Sequence, residues 1–281
     1  MFSSVKSKIK KISAAGSLLK TLALPLFLSL VIPLLSFNEK YKGNAFRIKT
    51  IVVDAGHGGH DGTTRGLIAR EKDVALQVAL RLGKSIEENL PDVRVVYTRT
   101  EDIFVPLYER IGVANRVKAD LFISIHCNSM PSSMKNRSSV RGTETFVSGF
   151  NRLGQQDAAL RENASLLLEN DYKDNYDGFD PNDPESVIVF SFMKNQFRDQ
   201  SIKLASLMQT EYVATGRIDR GVKEQGLAVL AKAGMPAVLT EIGFISSPQE
   251  EEYMVSDYGQ NEIVTCLLKA IQTYKKQVEI Q

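Results

Sequence analysis

Hydrophobic and polar positions alternate in blocks along the chain. "TIVVDAG" (50–56) is a short apolar run closed by glycine, the pattern of a strand buried on both faces. From Glu71 to Leu90 the apolar residues Val74, Ala75, Val78, Ala79, Leu82 and Ile86 recur at helical spacing. "VRVVYTR" (93–99) predicts a second strand, Pro106–Val117 a helix opening at proline, and "ADLFISIH" (119–126) and "TETFVSG" (143–149) two more strands. Helices are predicted near Asp157–Glu169 and Ser191–Thr215. "LAVLAK" and "MPAVLTEIGF" are read as the last strands, and 248–256 and 259–277 as closing helices. This alternation implies an α/β fold: a single domain with an open, twisted, mostly parallel or mixed sheet and helices on both faces.

Two stretches break the alternation. Residues 1–37 begin with lysines at 6, 8, 10, 11 and 20 and continue into the charge-free run Thr21–Phe37. That is the layout of an export signal, and its 17 residues with two prolines also sit at the lower limit for a membrane anchor. Residues 38–48 follow as a linker, with the catalytic domain expected over 49–278. The second stretch, about 150–200, contains "ENDYKDNYDGFDPNDPES", a long polar insert readable either as a lid or as a solvated excursion.

The leader changes the meaning of the charge. The chain's formal +2 includes those five lysines, and without them 30 basic residues face 33 acidic ones, a balance of −3. The body therefore carries no basic footprint for nucleic acid. Cys127, in a strand, and Cys266, in a helix, read as two separate buried thiols.

The chemistry is expected where strands end, because ligands of open α/β sheets bind beyond the carboxyl ends of the strands. His57 follows "IVVDAG", His126 ends "LFISI" and Glu241 ends "AVLT"; Glu71 opens a helix after the flexible "GGHDGTTRGLIAR" loop. Two imidazoles and a carboxylate form a catalytic zinc site, which activates a water and polarises a carbonyl. A further carboxylate is needed to move the proton, and Glu241 suits that role. His60 competes with His57, which is nearer the strand tip. A Cys127–His126 pair is disfavoured, since neighbours on a strand point to opposite faces.

These blocks, "IVVDAGHGGHDGTTRG", "EKDVALQVA", "VVYTRTED", "LYERIGVAN", "ADLFISIHCNS", "RGTETF" and "VLTEIGFISSPQEEEYM", resemble the zinc-dependent N-acetylmuramoyl-L-alanine amidases of the amidase 3 type, over about residues 50–275. The resemblance implies hydrolysis of the amide between N-acetylmuramic acid and L-alanine in peptidoglycan, with one Zn2+ held by His57, Glu71 and His126 and with Glu241 as general base and acid. It gives Asp54 and Glu144 supporting roles near the site. The insert is similar to the segment of Gram-negative cell-division amidases in which a helix covers the zinc until an activator protein draws it away. It implies a helical insert over the active site, with Glu162, ahead of Glu169, as the autoinhibitory ligand. With the leader, it also implies a periplasmic protein of wall turnover and daughter-cell separation.

Overall fold

The computed structural model describes residues 46–62, 64–149, 157–170, 172–176 and 196–280. The leader, nearly all of the linker and the stretch 177–195 of the insert lie outside the described residues. Phe46–Gln281 is one compact unit, so the expected linker's last residues already belong to it: Ile48 is buried, and its N–H donates to Glu279 Oε1 at 2.9 Å.

Six strands form one sheet in the order β2-β1-β3-β6-β4-β5. They are β1 (Thr50–Ala55), β2 (Arg94–Tyr97), β3 (Leu121–Asn128), β4 (Thr143–Ser148), β5 (Asp219–Gln225) and β6 (Ala237–Phe244). All neighbours run parallel except β4 against β6, so the sheet is mixed. Among the described residues the helices are α1 (Glu71–Asn89), α2 (Leu107–Arg116), α3 (Asp157–Asn163), α4 (Arg198–Ala214), α5 (Ala228–Ala231), α6 (Pro248–Val255) and α7 (Asp257–Glu279), beside one further turn at Tyr172–Asn175. Alternate residues of each strand face opposite sides. Ile51 and Val53 therefore pack with Val78 and Leu82 of α1, Met208 of α4 and Leu267 and Ile271 of α7. Val52, between them in sequence, joins Phe122, Ile111 of α2, Leu230 of α5 and Ala159 of α3 on the other face.

Two elements differ from the sequence reading. "LAVLAK" is not a strand; its apolar residues form the single turn α5, with Val229 and Leu230 buried against the second face. The missing strand is β5, "DRGVKEQ", at the edge of the sheet. An edge strand that is only half buried keeps charged side chains, so it carries no apolar run to betray it. The predicted helix 157–169 also splits, with α3 running into a 3₁₀ segment, Ala164–Leu168.

Candidate metal and catalytic site

The carboxyl ends of β1, β3 and β6 meet at one edge, because β3 lies between the other two and pairs with both. His57 follows β1 in a tight turn. Its backbone is left-handed, with φ 56°, followed by Gly58 at 128° and Gly59 at 58°. Such a conformation costs a non-glycine residue about 1 kcal/mol or more and persists only where surrounding contacts impose it. Two buried guanidinium groups do so. Arg110 donates to the carbonyls of Ala55 (2.6 Å) and His57 (2.6 Å), and Arg99 to those of Ala55 (3.0 Å) and Gly56 (2.8 Å). Arg110 is held in turn by Asp54 at 2.9 Å, which also accepts from Ser124 and Thr98, both at 2.6 Å. Burial works against the Asp54 charge, but Arg110 and the two hydroxyls hold its carboxyl below the usual range. The residue between strand and His57 must be glycine for another reason: a Cβ on Gly56 would lie 2.4 Å from Nε2 of His126.

Glu71 is the first residue of α1, and the loop that delivers it is tied down from α6. Glu251 accepts the N–H groups of Leu67, Ile68 and Ala69, each at 2.8 Å. The Glu71 carboxylate then reaches His126 Nδ1 at 3.1 Å and lies 3.3 Å from His57 Nε2. His126 and Glu241 are register partners on β3 and β6, which places their side chains on the same face.

The insert completes the cluster. Helix α3 brings Glu162 Oε2 to 3.0 Å from His126 Nδ1 and 3.4 Å from His57 Nε2. One donor atom each from His57, Glu71, His126 and Glu162 lie within 4.8 Å of one another, all buried. Arg161 donates to Ser129 O (3.2 Å) and lies 3.4 Å from Glu241 Oε1. Asn163 bonds the Gly226 carbonyl and the Ala228 N–H, both at 2.8 Å, and Ser165 donates to Asp61, which orients His57 Nδ1 at 2.9 Å. Glu169 is elsewhere: it accepts the Leu107 N–H at the start of α2 at 2.6 Å.

The donor chemistry fits a divalent cation. His57 Nε2, Glu162 Oε2 and Glu241 Oε2 are buried without a well-formed hydrogen bond, and the first two lie 3.4 Å apart. Burial alone would strip the proton from either imidazole. The Glu71 charge overrides it at His57, raising that group well above the ordinary histidine value, and Glu162 overrides it at His126, raising it to about 10. The carboxylates thus favour positive charge in a buried space. Glu241 is pushed well above the usual carboxylate range by burial and by the charges of Glu162 and Glu71, with Arg161 opposing.

The structure brings His57, Glu71, His126 and Glu162 together and sets Glu241 beside them. His60 is left out, exposed and stacked on Phe104 with centroids 4.2 Å apart. Glu144 accepts from Asn128 and pairs with Arg220 and Lys223. Both cysteines are free and buried. Sequence reasoning missed Asp61, Arg110 and Arg161. Asp61 was within reach, four residues after His57, whereas the other two act across distances that only the fold closes.

The profile of the N-acetylmuramoyl-L-alanine amidase family matches residues 51–273. The amidase AmiC of Escherichia coli O6:H1 is 33% identical over 238 residues, covering 83% of this chain and 54% of that protein. The amidase AmiC of Neisseria meningitidis serogroup B is 28% identical, again over 83% of this chain and 54% of its own length. The chain thus spans about half the length of these relatives. Among solved structures, an N-acetylmuramoyl-L-alanine amidase from Clostridium difficile 630 superposes with a TM-score of 0.60 at 26% identity, covering 82% of this chain and 97% of that one. AmiC2 of Nostoc punctiforme gives 0.59 at 25% identity, covering 81% and 97%.

Proposed function

Since the chain belongs to the N-acetylmuramoyl-L-alanine amidase family, we propose that it hydrolyses the amide between N-acetylmuramic acid and the L-alanine of the peptidoglycan stem peptide. The observation that carries this reading is the convergence of His57, Glu71, His126 and Glu162 beside Glu241 at one sheet edge. His57, Glu71 and His126 would hold one zinc ion, the two-imidazole, one-carboxylate set of catalytic sites that keep a fourth position for water or substrate. When bound, zinc supplies Lewis acidity to the scissile carbonyl and to the attacking water.

The chain's own residues do the rest. Glu241 takes a proton from the water that attacks the carbonyl carbon. As the C–N bond breaks, Glu241 returns that proton to the nitrogen. The products are a lactyl carboxylate on the glycan and a free α-amine on L-alanine. Asp61 orients His57, and the Asp54–Arg110 pair fixes its backbone.

The insert supports an autoinhibited form. Glu162 occupies the place of a fourth ligand, while its neighbour Arg161 engages Glu241. The described insert packs Ala158, Ala159, Leu166 and Tyr176 into the core cluster of the second sheet face. A partner that binds the undocked insert more tightly than the docked one would shift the population. We assign the leader to export and the activity to wall turnover and daughter-cell separation outside the cytoplasm.

Digesting purified peptidoglycan with the full chain and zinc tests the reading. Expected products are intact stem peptides and peptide-free glycan with lactyl ends, and Glu241→Gln should abolish them. Cleavage at any other bond, or full turnover by Glu241→Gln, contradicts it.

A further inference from the structure

A cleft of about 1240 Å³ lies beside the cluster, lined by Asn128 of β3, Glu144 of β4, Arg161 of α3 and Arg220 and Lys223 of β5. Positive charge dominates its walls. Arg220 and Lys223 of β5 both turn onto one carboxylate, Glu144, which also accepts from Asn128. The guanidinium of Arg220 sits over the ring of Phe244, 4.8 Å from its centroid, so it is held rather than free to swing. Arg137, from the 3₁₀ turn Arg137–Ser139, donates to the Met130 carbonyl at 3.2 Å and has no carboxylate partner among the described residues. Among the described residues, Arg65 and Arg161 also line the cleft, and Glu144 and Asp157 are its acids. Arg161 is already engaged by Glu162 and Glu241.

The spacing gives this charge a meaning. His126, Glu241 and Glu144 are successive register partners across β3, β6 and β4, and β5 is the next strand. Both β5 cations reach back to Glu144, two strands or roughly 10 Å from β3 at about 4.8 Å per strand. An extended peptide leaving an amide at the cluster carries the carboxyl of its second residue about 7 Å along, within one hydrogen bond of that point.

We propose that Arg220 and Lys223, with Arg137 facing them, form a carboxylate-binding subsite that selects stem peptides with free rather than amidated acidic groups. The inference rests on the amidase reading for the direction in which the peptide runs. Guanidinium and ammonium groups match a carboxylate in charge and donor geometry, whereas a carboxamide loses the charge and turns a donor toward them. Glu144 keeps the two β5 cations turned into the cleft. None of the three cations belongs to α3, so the subsite persists when the insert leaves.

The test uses two tripeptides, L-alanyl-γ-D-glutamyl-L-lysine with its D-glutamyl α-carboxylate free, and the same peptide with that group amidated. Calorimetric titration of the zinc-loaded full chain should give at least about 10-fold tighter binding of the free acid, a preference that shrinks with added salt. The double variant Arg220→Gln/Lys223→Gln, shown by circular dichroism to be folded at the titration temperature, should bind the amide as before while its preference falls to about 2-fold or less. Equal affinities in the unsubstituted chain, equal weakening of both peptides in the variant, or binding of neither overturns the proposal. Hydrolysis of the corresponding muramoyl tripeptides separates the two readings. Cleavage with equal kcat/KM on acid and amide removes the subsite and leaves the amidase, whereas no cleavage alongside a sustained binding preference removes the amidase and leaves the subsite.

Discussion

Arg110→Met is the substitution whose cost follows most directly from the geometry. Arg110 is 1% exposed and spends four donor contacts on Asp54 and the carbonyls of Ala55, His57 and Val105, at 2.6–2.9 Å. Methionine fills much of the volume and supplies none of these donors. Asp54, wholly buried, would keep only the hydroxyls of Ser124 and Thr98. Breaking a buried pair by removing one partner costs about 3–5 kcal/mol, because the remaining charge is uncompensated. The three carbonyls add to this but not independently, so about 4 kcal/mol is the expected loss in urea denaturation. At about 2–4 °C per kcal/mol, the melting temperature should fall by roughly 10 °C. The double variant Asp54→Asn/Arg110→Met removes the stranded charge and should recover part of the loss. Arg110→Lys should rescue little, since an ammonium cannot span the same carbonyls. The metal would also feel the change, with affinity expected to drop about 10–100-fold as the left-handed His57 loses its clamp. A loss below about 1 kcal/mol, or a double variant no more stable than the single, refutes the reasoning.

Other perturbations read other parts of the site. Glu162→Ala should raise hydrolysis by the full chain severalfold without any partner, and unchanged turnover in a peptidoglycan release assay counts against insert control. Gly56→Ala, whose Cβ would meet the His126 ring, should abolish zinc binding in calorimetry and lower stability by about 1–3 kcal/mol. Glu169 is held up to about 7 by burial, against an ordinary 4.5. Between those values the docked insert keeps a proton that the undocked chain has released, so docking weakens as pH rises from about 5 to 7. Hydrogen-exchange protection over Asp157–Leu168 should be lower at pH 8 than at pH 5.5, and Glu169→Gln should remove the difference.

Much of this was legible in the chain because burial and strand ends leave marks. The runs at 50–56, 119–126 and 235–244 are apolar because β1, β3 and β6 are central strands covered on both faces. The rule that ligands gather at strand tips then sufficed to bring His57, His126 and Glu241 to one edge. β5 was hidden because an edge strand carrying Arg220 and Lys223 has the composition of a loop. "LAVLAK" misled because a buried single turn and a buried strand look alike over six residues. Glu162 could be ranked ahead of Glu169 only by resemblance. Both are buried carboxylates of one insert, and the sequence does not say that one turns toward two imidazoles while the other caps α2. Arg110 and Arg161 read as ordinary helix-surface cations until the fold sets Asp54 and Glu241 in front of them.

The claim beneath the whole account is that His57, Glu71 and His126 converge on one cation. Anomalous diffraction at the zinc edge, from crystals of the full chain grown with zinc, tests it most directly. One strong peak per chain is expected, in contact with both imidazoles and the Glu71 carboxylate, that disappears in His126→Ala. No peak in that cluster, or zinc bound by other side chains, would contradict it.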